Sequence, residues 1–118
     1  MADKPVARLS LRIDVANGSR IGPGKIALLE QIAALGSISA GGRALDMSYR
    51  RAWKLIDELN RIFGAAVVET ATGGKHGGGA ALTPLGASVV ARYRAIERAA
   101  ERAAEPHLKA LAKDLAKS

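Results

Sequence analysis

Three long cationic side chains, Arg50, Arg51 and Lys54, stand within two helical turns of one another, directly after Ser48 and Tyr49. Groups so spaced can donate to phosphate oxygens, and an arginine can also grip the O6 and N7 of guanine in bidentate fashion. The Ser48 and Tyr49 hydroxyls add donors for phosphate, as do the free N–H groups of a helix's first turn. A second candidate is the run GGKHGGG, residues 73–79. A nucleotide-cradling loop needs G-x-x-x-x-G-K-[ST] feeding a helix; here His76 follows Lys75 and a strand pattern follows the glycines, so that chemistry fails on spacing and context. Bare amides beside Lys75 suit a phosphate backbone or a minor groove, where bulkier side chains would clash. The plain alternative is a surface loop that touches nothing.

Other chemistry is sparse. Asp57 and Glu58 are adjacent and diverge on a helix, and no serine, histidine and carboxylate combination suggests acid–base work. The chain has no cysteine, which removes disulfides, thiolate metal sites and cysteine nucleophiles. His76 and His107 are the only histidines and lack ligand spacing. No enzyme activity, metal or cofactor is expected. Eighteen Lys and Arg against eleven Asp and Glu give a net charge of +7, which favours an anionic partner. One tryptophan, two tyrosines and one phenylalanine are too few for a platform that stacks single-stranded bases.

The cations need an element to hold them outward, and residues 37–64 supply it. Ser37 can cap a short helix running through Leu45, Asp46 and Met47 form a turn, and Ser48 caps a longer helix that Gly64 ends. On that second helix Ala52, Leu55, Ile56, Leu59, Ile62 and Phe63 share one arc. Arg50, Arg51, Lys54, Asp57, Glu58 and Arg61 share another. Trp53 lies at the edge between them, as a boundary core residue. An apolar face docked on its own domain, with long donors near the N-terminus, is what a helix entering a major groove requires.

Around this pair the chain reads as follows. Residues 7–15 alternate, with Leu9, Leu11, Ile13 and Val15 on one side, as in a half-buried strand. Asn17-Gly18 turns the chain, and Pro23 opens a helix whose Ile26, Leu28, Leu29, Ile32, Ala33 and Leu35 place it in the middle of the core, until Gly36 stops it. Residues 67–72 and 80–83 form two strands around the glycine run, a hairpin wing directly behind the helix-turn-helix. Thr83 and Pro84 open a last helix, which Pro106 is expected to kink or end, followed by a further amphipathic stretch with Leu108, Leu111 and Leu115. Glu97, Glu101 and Glu105 run beside Arg94, Arg98 and Arg102, so charge pairs can lace its exposed side. This helix exceeds the needs of a small core, and its alanine-rich stripe lets a second helix approach closely. A dimer interface is expected; the bland alternative is an extended solvated helix.

The fold class is therefore mainly α (α+β): a winged helix-turn-helix with a three-helix core, a β-hairpin wing, an N-terminal strand and a long C-terminal dimerisation helix. Residues 1–83 form the DNA-binding part and 84–118 the dimerisation helix of the same domain. MADKPVARLS lacks the apolar core of a signal peptide, and no apolar run could span a membrane, so a cytoplasmic location is expected. The expected partners are double-stranded DNA and a second copy of the chain. The rival function is a winged-helix protein–protein adaptor without DNA readout.

The stretches LLEQIAALGSISAGGRALDMSYRRAW and VVETATGGKHGGGAALTPLG resemble the DNA-binding domain of ModE-type molybdate-responsive transcription regulators. The Ser-Tyr-x-x-Ala-Trp opening of the second helix and the Ala-Thr-Gly-Gly-Lys-x-Gly-Gly-Gly-Ala wing carry the likeness, which runs from Leu9 to the middle of the last helix. It implies a winged helix-turn-helix related to the LysR-type N-terminal domain, homodimeric, on an operator with two-fold symmetry. Carried over by position, Ser48, Tyr49, Arg50, Arg51 and Lys54 would contact DNA from the helix. Gly73, Gly74, Lys75, Gly77 and Gly78 would do so from the wing. Family members that sense molybdate carry additional C-terminal oxyanion-binding domains. The present sequence ends at Ser118, so no molybdate binding through such domains is expected, while a role in molybdate or oxyanion homeostasis remains open.

Overall fold

Three of the four helices begin at a hydroxyl that satisfies a free backbone N–H, and two end at a glycine. In the computed structural model, which describes residues 7–71 and 79–116, α1 (Pro23–Leu35) has proline at its start. It stops at Gly36, whose φ of 70° lies in the left-handed region. The Ser37 hydroxyl accepts from the Ala40 N–H at 3.1 Å and starts α2 (Ile38–Ala44). Asp46, at φ 56°, reverses the chain. The Ser48 hydroxyl then accepts from the Arg51 N–H, also at 3.1 Å, to open α3 (Tyr49–Phe63). Thr83 does the same for α4 (Pro84–Lys113), accepting from the Gly86 N–H.

Two antiparallel hairpins complete the architecture. β1 (Ile13–Asp14) pairs with β2 (Arg20–Ile21), in the register Ile13 to Ile21 and Asp14 to Arg20. β3 (Val68–Ala71) pairs with β4 (Gly79–Leu82), Val68 facing Leu82 and Ala71 facing Gly79. This second hairpin is the wing. The Thr83 N–H closes its root by donating to the Val67 carbonyl at 3.0 Å, and the Ala80 N–H ties β4 to the end of α1 by donating to the Gly36 carbonyl at 2.9 Å. The core is a single cluster: Ile26, Leu28, Leu29 and Ile32 of α1 meet Ile38, Ala52, Leu55, Ile56 and Leu59, closed by Val67, Val68, Val89 and Tyr93.

Three expectations need correction. The alternation over residues 7–15 is real, with odd positions half-buried and even ones exposed, but only Ile13–Asp14 is paired. The partner strand ends at Ile21 because Gly22 and Pro23 begin α1, so residues 7–12 run without a ladder, Leu11 beside Tyr93 and residues 7–9 beside the distal turns of α4. On α1, Ala33 and Leu35 are exposed, Leu35 by half. The helix passes beyond the core in its last turn. Finally, Pro106 neither ends nor interrupts α4, which continues to Lys113. The ring removes one donor to the Arg102 carbonyl, and since both residues are exposed that carbonyl can turn to water. Thirty residues make α4 about 45 Å long, most of the molecule's 56 Å long axis.

Candidate nucleic-acid interface

The site is built on α3. Its buried side, Ala52, Leu55, Ile56 and Leu59, is held against α1 and α2, where Gly42 lets the helices close. An alanine Cβ at position 42 would meet the Ala52 Cβ at 3.3 Å. With that side fixed, the opposite side must face solvent: Arg50, Arg51, Lys54, Asp57 and Arg61 are all exposed. At about 100° per residue, Arg50 and Arg61 point most directly outward, with Lys54 and Asp57 to either side of them. Glu58 is half-buried, its carboxylate 3.5 Å from the Lys25 ammonium. The first two turns thus present three cations before the first acid.

The two flanks of this outward face differ. Tyr49, Trp53 and Asn60 turn toward the wing, where the Asn60 carboxamide oxygen accepts from the Val67 N–H at 2.9 Å. Tyr49 stands 57% exposed and meets Trp53 edge-on, ring centroids 6.3 Å apart. Both rings border an open notch of about 310 Å³ with Ser37, Ser39, Thr70 and Ala80. Trp53 is half-buried, a boundary residue as expected. Glu58 and Ile62 turn the other way, into a cleft of about 740 Å³ shared with residues 15–20, Lys25 and Arg61.

The structure therefore gathers Ser48, Tyr49, Arg50, Arg51 and Lys54 on the first turns of α3, with Ser48 occupied as a cap and Tyr49 and Arg51 on opposite flanks. The wing strands converge on the glycine run from Ala71 and Gly79. Gly73, Gly74, Lys75, Gly77 and Gly78 lie outside the described residues.

Reading the residues one at a time missed what fastens α4 to this platform. Arg94 donates to both carboxylate oxygens of Glu30 on α1, at 3.0 and 2.6 Å, and to Glu97 at 2.7 Å. Those bonds, first to Glu30 and then to Glu97, push the guanidinium above its already high ordinary range. The signal was available: Glu30 is the sole acid on a mostly apolar helix, and Arg94 is one of the basic residues that could pair with it. Tyr93 is buried, donates to the Leu11 carbonyl at 2.6 Å, and lies beneath Arg94. Burial, and secondarily the Glu97 charge, raises its phenol above the usual 10, against the opposing pull of Arg94 and Arg12. Among the described residues no cluster of three or more acidic, histidine or cysteine side chains could hold a metal, and no helix is long and apolar enough to cross a membrane.

Known proteins resemble the chain in sequence. The chain is 48% identical over 80 residues to the molybdenum-pterin-binding protein MopB of Rhodobacter capsulatus, covering 68% of this chain and 30% of that protein. It is 40% identical over 96 residues to the molybdenum transport protein ModE of Azotobacter vinelandii, covering 81% and 35%. The likeness to the DNA-binding transcriptional dual regulator ModE of Escherichia coli K12 is 46% over 71 residues, or 60% and 27%. The chain thus spans about a third of the length of the curated relatives it matches. The family model for bacterial regulatory helix-turn-helix proteins of the lysR family matches residues 24–87, α1 through the first turn of α4. That match takes in more than half of the chain and all of the helix-turn-helix and wing, and the chain belongs to that lysR family, with a ModE-like winged helix-turn-helix.

Proposed function

We propose that the protein is a sequence-specific, double-stranded DNA-binding transcription regulator. In this reading α3 enters the major groove and the glycine-rich wing follows the backbone or the minor groove. The exposed cations Arg50, Arg51 and Lys54 on the first turns of α3, turned out by its buried face, carry the proposal. Arg50 and Arg51 would read bases or grip phosphate, Lys54, Ser48 and Tyr49 would position the backbone, and Lys75 with Gly73, Gly74, Gly77 and Gly78 would do so from the wing. Family membership supports the regulator reading. The names of the relatives support a link to molybdate or oxyanion homeostasis.

A homodimer through α4 belongs to the same proposal, with residues 1–83 reading DNA and 84–118 joining the copies. Val89 and Tyr93, which dock α4 on the core, share an arc of about 80° with Ile96, Ala100, Ala104 and Leu111. Beyond Tyr93 the stripe runs off the core, leaving Ile96 46% and Leu111 54% exposed. A second copy would cover it and set two α3 helices about 34 Å apart, or a multiple of that, on successive major grooves.

The test is fluorescence anisotropy with duplexes selected from a random pool, with and without molybdate. Binding should weaken steeply with salt, by a logarithmic slope of roughly 0.9 per phosphate neutralised. Arg50→Ala/Arg51→Ala should abolish selective binding; undiminished affinity in that variant overturns the assignment of the face. A chain without salt-sensitive duplex affinity would instead be the protein–protein adaptor.

A further inference from the structure

We infer that the β1–β2 hairpin is a second phosphate-contacting flank of the DNA interface, with Arg20 and Arg61 as its donors. The inference rests on the duplex-binding reading above and adds to it a contact on the side away from the wing. Its basis is the placement of the two hairpins. Along α3, side chains at positions 49, 53 and 60 turn to the wing, and those at 58 and 62 turn to the β1–β2 hairpin. The outward face runs between them. The helix is therefore bracketed, by one hairpin near its N-terminal end and by the other near its C-terminal end. A helix in a major groove meets the same geometry in its target, since a phosphate backbone borders the groove on each side.

The chemistry of the bracket fits phosphate. Arg61 and Arg20 border one cleft with the turn Ala16–Gly18. At its tip Asn17 and Gly18 take φ of 69° and 75°, presenting backbone with little side-chain bulk. Three carboxylates lie near, and each has to be accounted for. Glu58 is balanced by Lys25, which also donates to the Arg20 carbonyl at 2.6 Å and so braces the hairpin against α1. Asp14 stands 3.4 Å from the Arg20 guanidinium, but the two side chains are 82% and 67% exposed, so this is a weak pair that a phosphate can replace. Asp57 is exposed on the outward face of α3, one turn before Arg61, and among the described residues no ion pair joins the two. The two arginines remain as the donors of this flank. Both are exposed and outside the core, so their replacement leaves the fold untouched.

The experiment uses the full chain and duplexes long enough to extend past the selected site. Arg20→Ala/Arg61→Ala should weaken binding evenly across duplex sequences and lower the salt slope by about 0.9 for each arginine, with an unchanged melting temperature. Arg20→Lys/Arg61→Lys should retain the slope, since backbone neutralisation needs charge rather than the guanidinium fork. Phosphate-ethylation interference should lose one patch, opposite the wing's, in the alanine variant. Unchanged slope and interference pattern, with Arg50→Ala/Arg51→Ala still abolishing binding, would overturn the second flank and leave the regulator reading standing. A wild-type chain with no salt-sensitive duplex affinity would overturn both.

Discussion

Ser48 and Tyr93 each do their work through one hydrogen bond, and each gives a residue-level prediction. Ser48→Ala removes the acceptor for the Arg51 N–H and should cost about 1 kcal/mol of stability, read from denaturant unfolding. Because the same turn carries Arg50 and Arg51, fraying there should also weaken duplex binding. Tyr93→Phe takes the donor from the partly buried Leu11 carbonyl and should cost about 1 kcal/mol. The tyrosine has a pH signature as well. Its phenol titrates above the usual 10 in the folded chain, chiefly through burial. The stabilisation is therefore complete below pH 10 and is lost as pH rises toward the folded value. Melting temperature should fall more steeply above pH 10 in the wild type than in Tyr93→Phe. An equal fall in both would show that Tyr93 is not responsible.

At the level of elements, close backbone approach decides which glycines tolerate a methyl group. Gly86, in the first turn of α4, lies so near the Val67 carbonyl that an added Cβ would overlap its oxygen. Gly86→Ala should destabilise by about 2–3 kcal/mol, because backbone rather than a flexible side chain must move. Gly24, in the first turn of α1, has nothing within 4 Å, and Gly24→Ala should stabilise by about 0.5–1 kcal/mol. Chemical denaturation of the two variants checks both signs. The caps and stops were legible from Ser37, Ser48, Thr83, Pro23, Gly36 and Gly64, since each acts through bonds within a few residues of itself. From sequence, Pro106 is expected to kink or end the helix, as a proline inside a helix usually does. In an exposed helix held at both sides of the gap, the lost bond costs less than ending the helix there. Pro106→Ala should accordingly raise helicity by circular dichroism without lengthening α4.

Over the whole molecule, α4 joins two regions with different burial. Its first turns are clamped to α1 by Arg94 and Glu30 and to the N-terminal segment by Tyr93. Its distal turns carry the stripe whose exposed Ile96 and Leu111 the proposed dimer would bury. Ile96→Glu/Leu111→Glu should leave the fold intact, since both side chains are exposed. It should shift the chain to monomer in sedimentation and remove the advantage of a two-fold symmetric duplex over a single half-site. A wild-type chain that sediments as a monomer at concentrations where it binds such a duplex as one copy would refute the dimer.

Local chemistry in the sequence determined the starts of α1–α4, the glycine stops of α1 and α3, the wing strands and the cationic face of α3. Caps, stops and periodicity act within one element, and a 3.6-residue period sorts Arg50 from Leu55 without knowledge of the rest of the chain. Tertiary structure decided the remainder. Glu30 and Arg94 are far apart in sequence, Leu11 and Tyr93 likewise, and β2 forms only because Ile21 is delivered opposite Ile13. Such contacts depend on where folded elements land, and the bracketing of α3 by two hairpins is of this kind: it arises from packing and leaves no periodic trace in the chain.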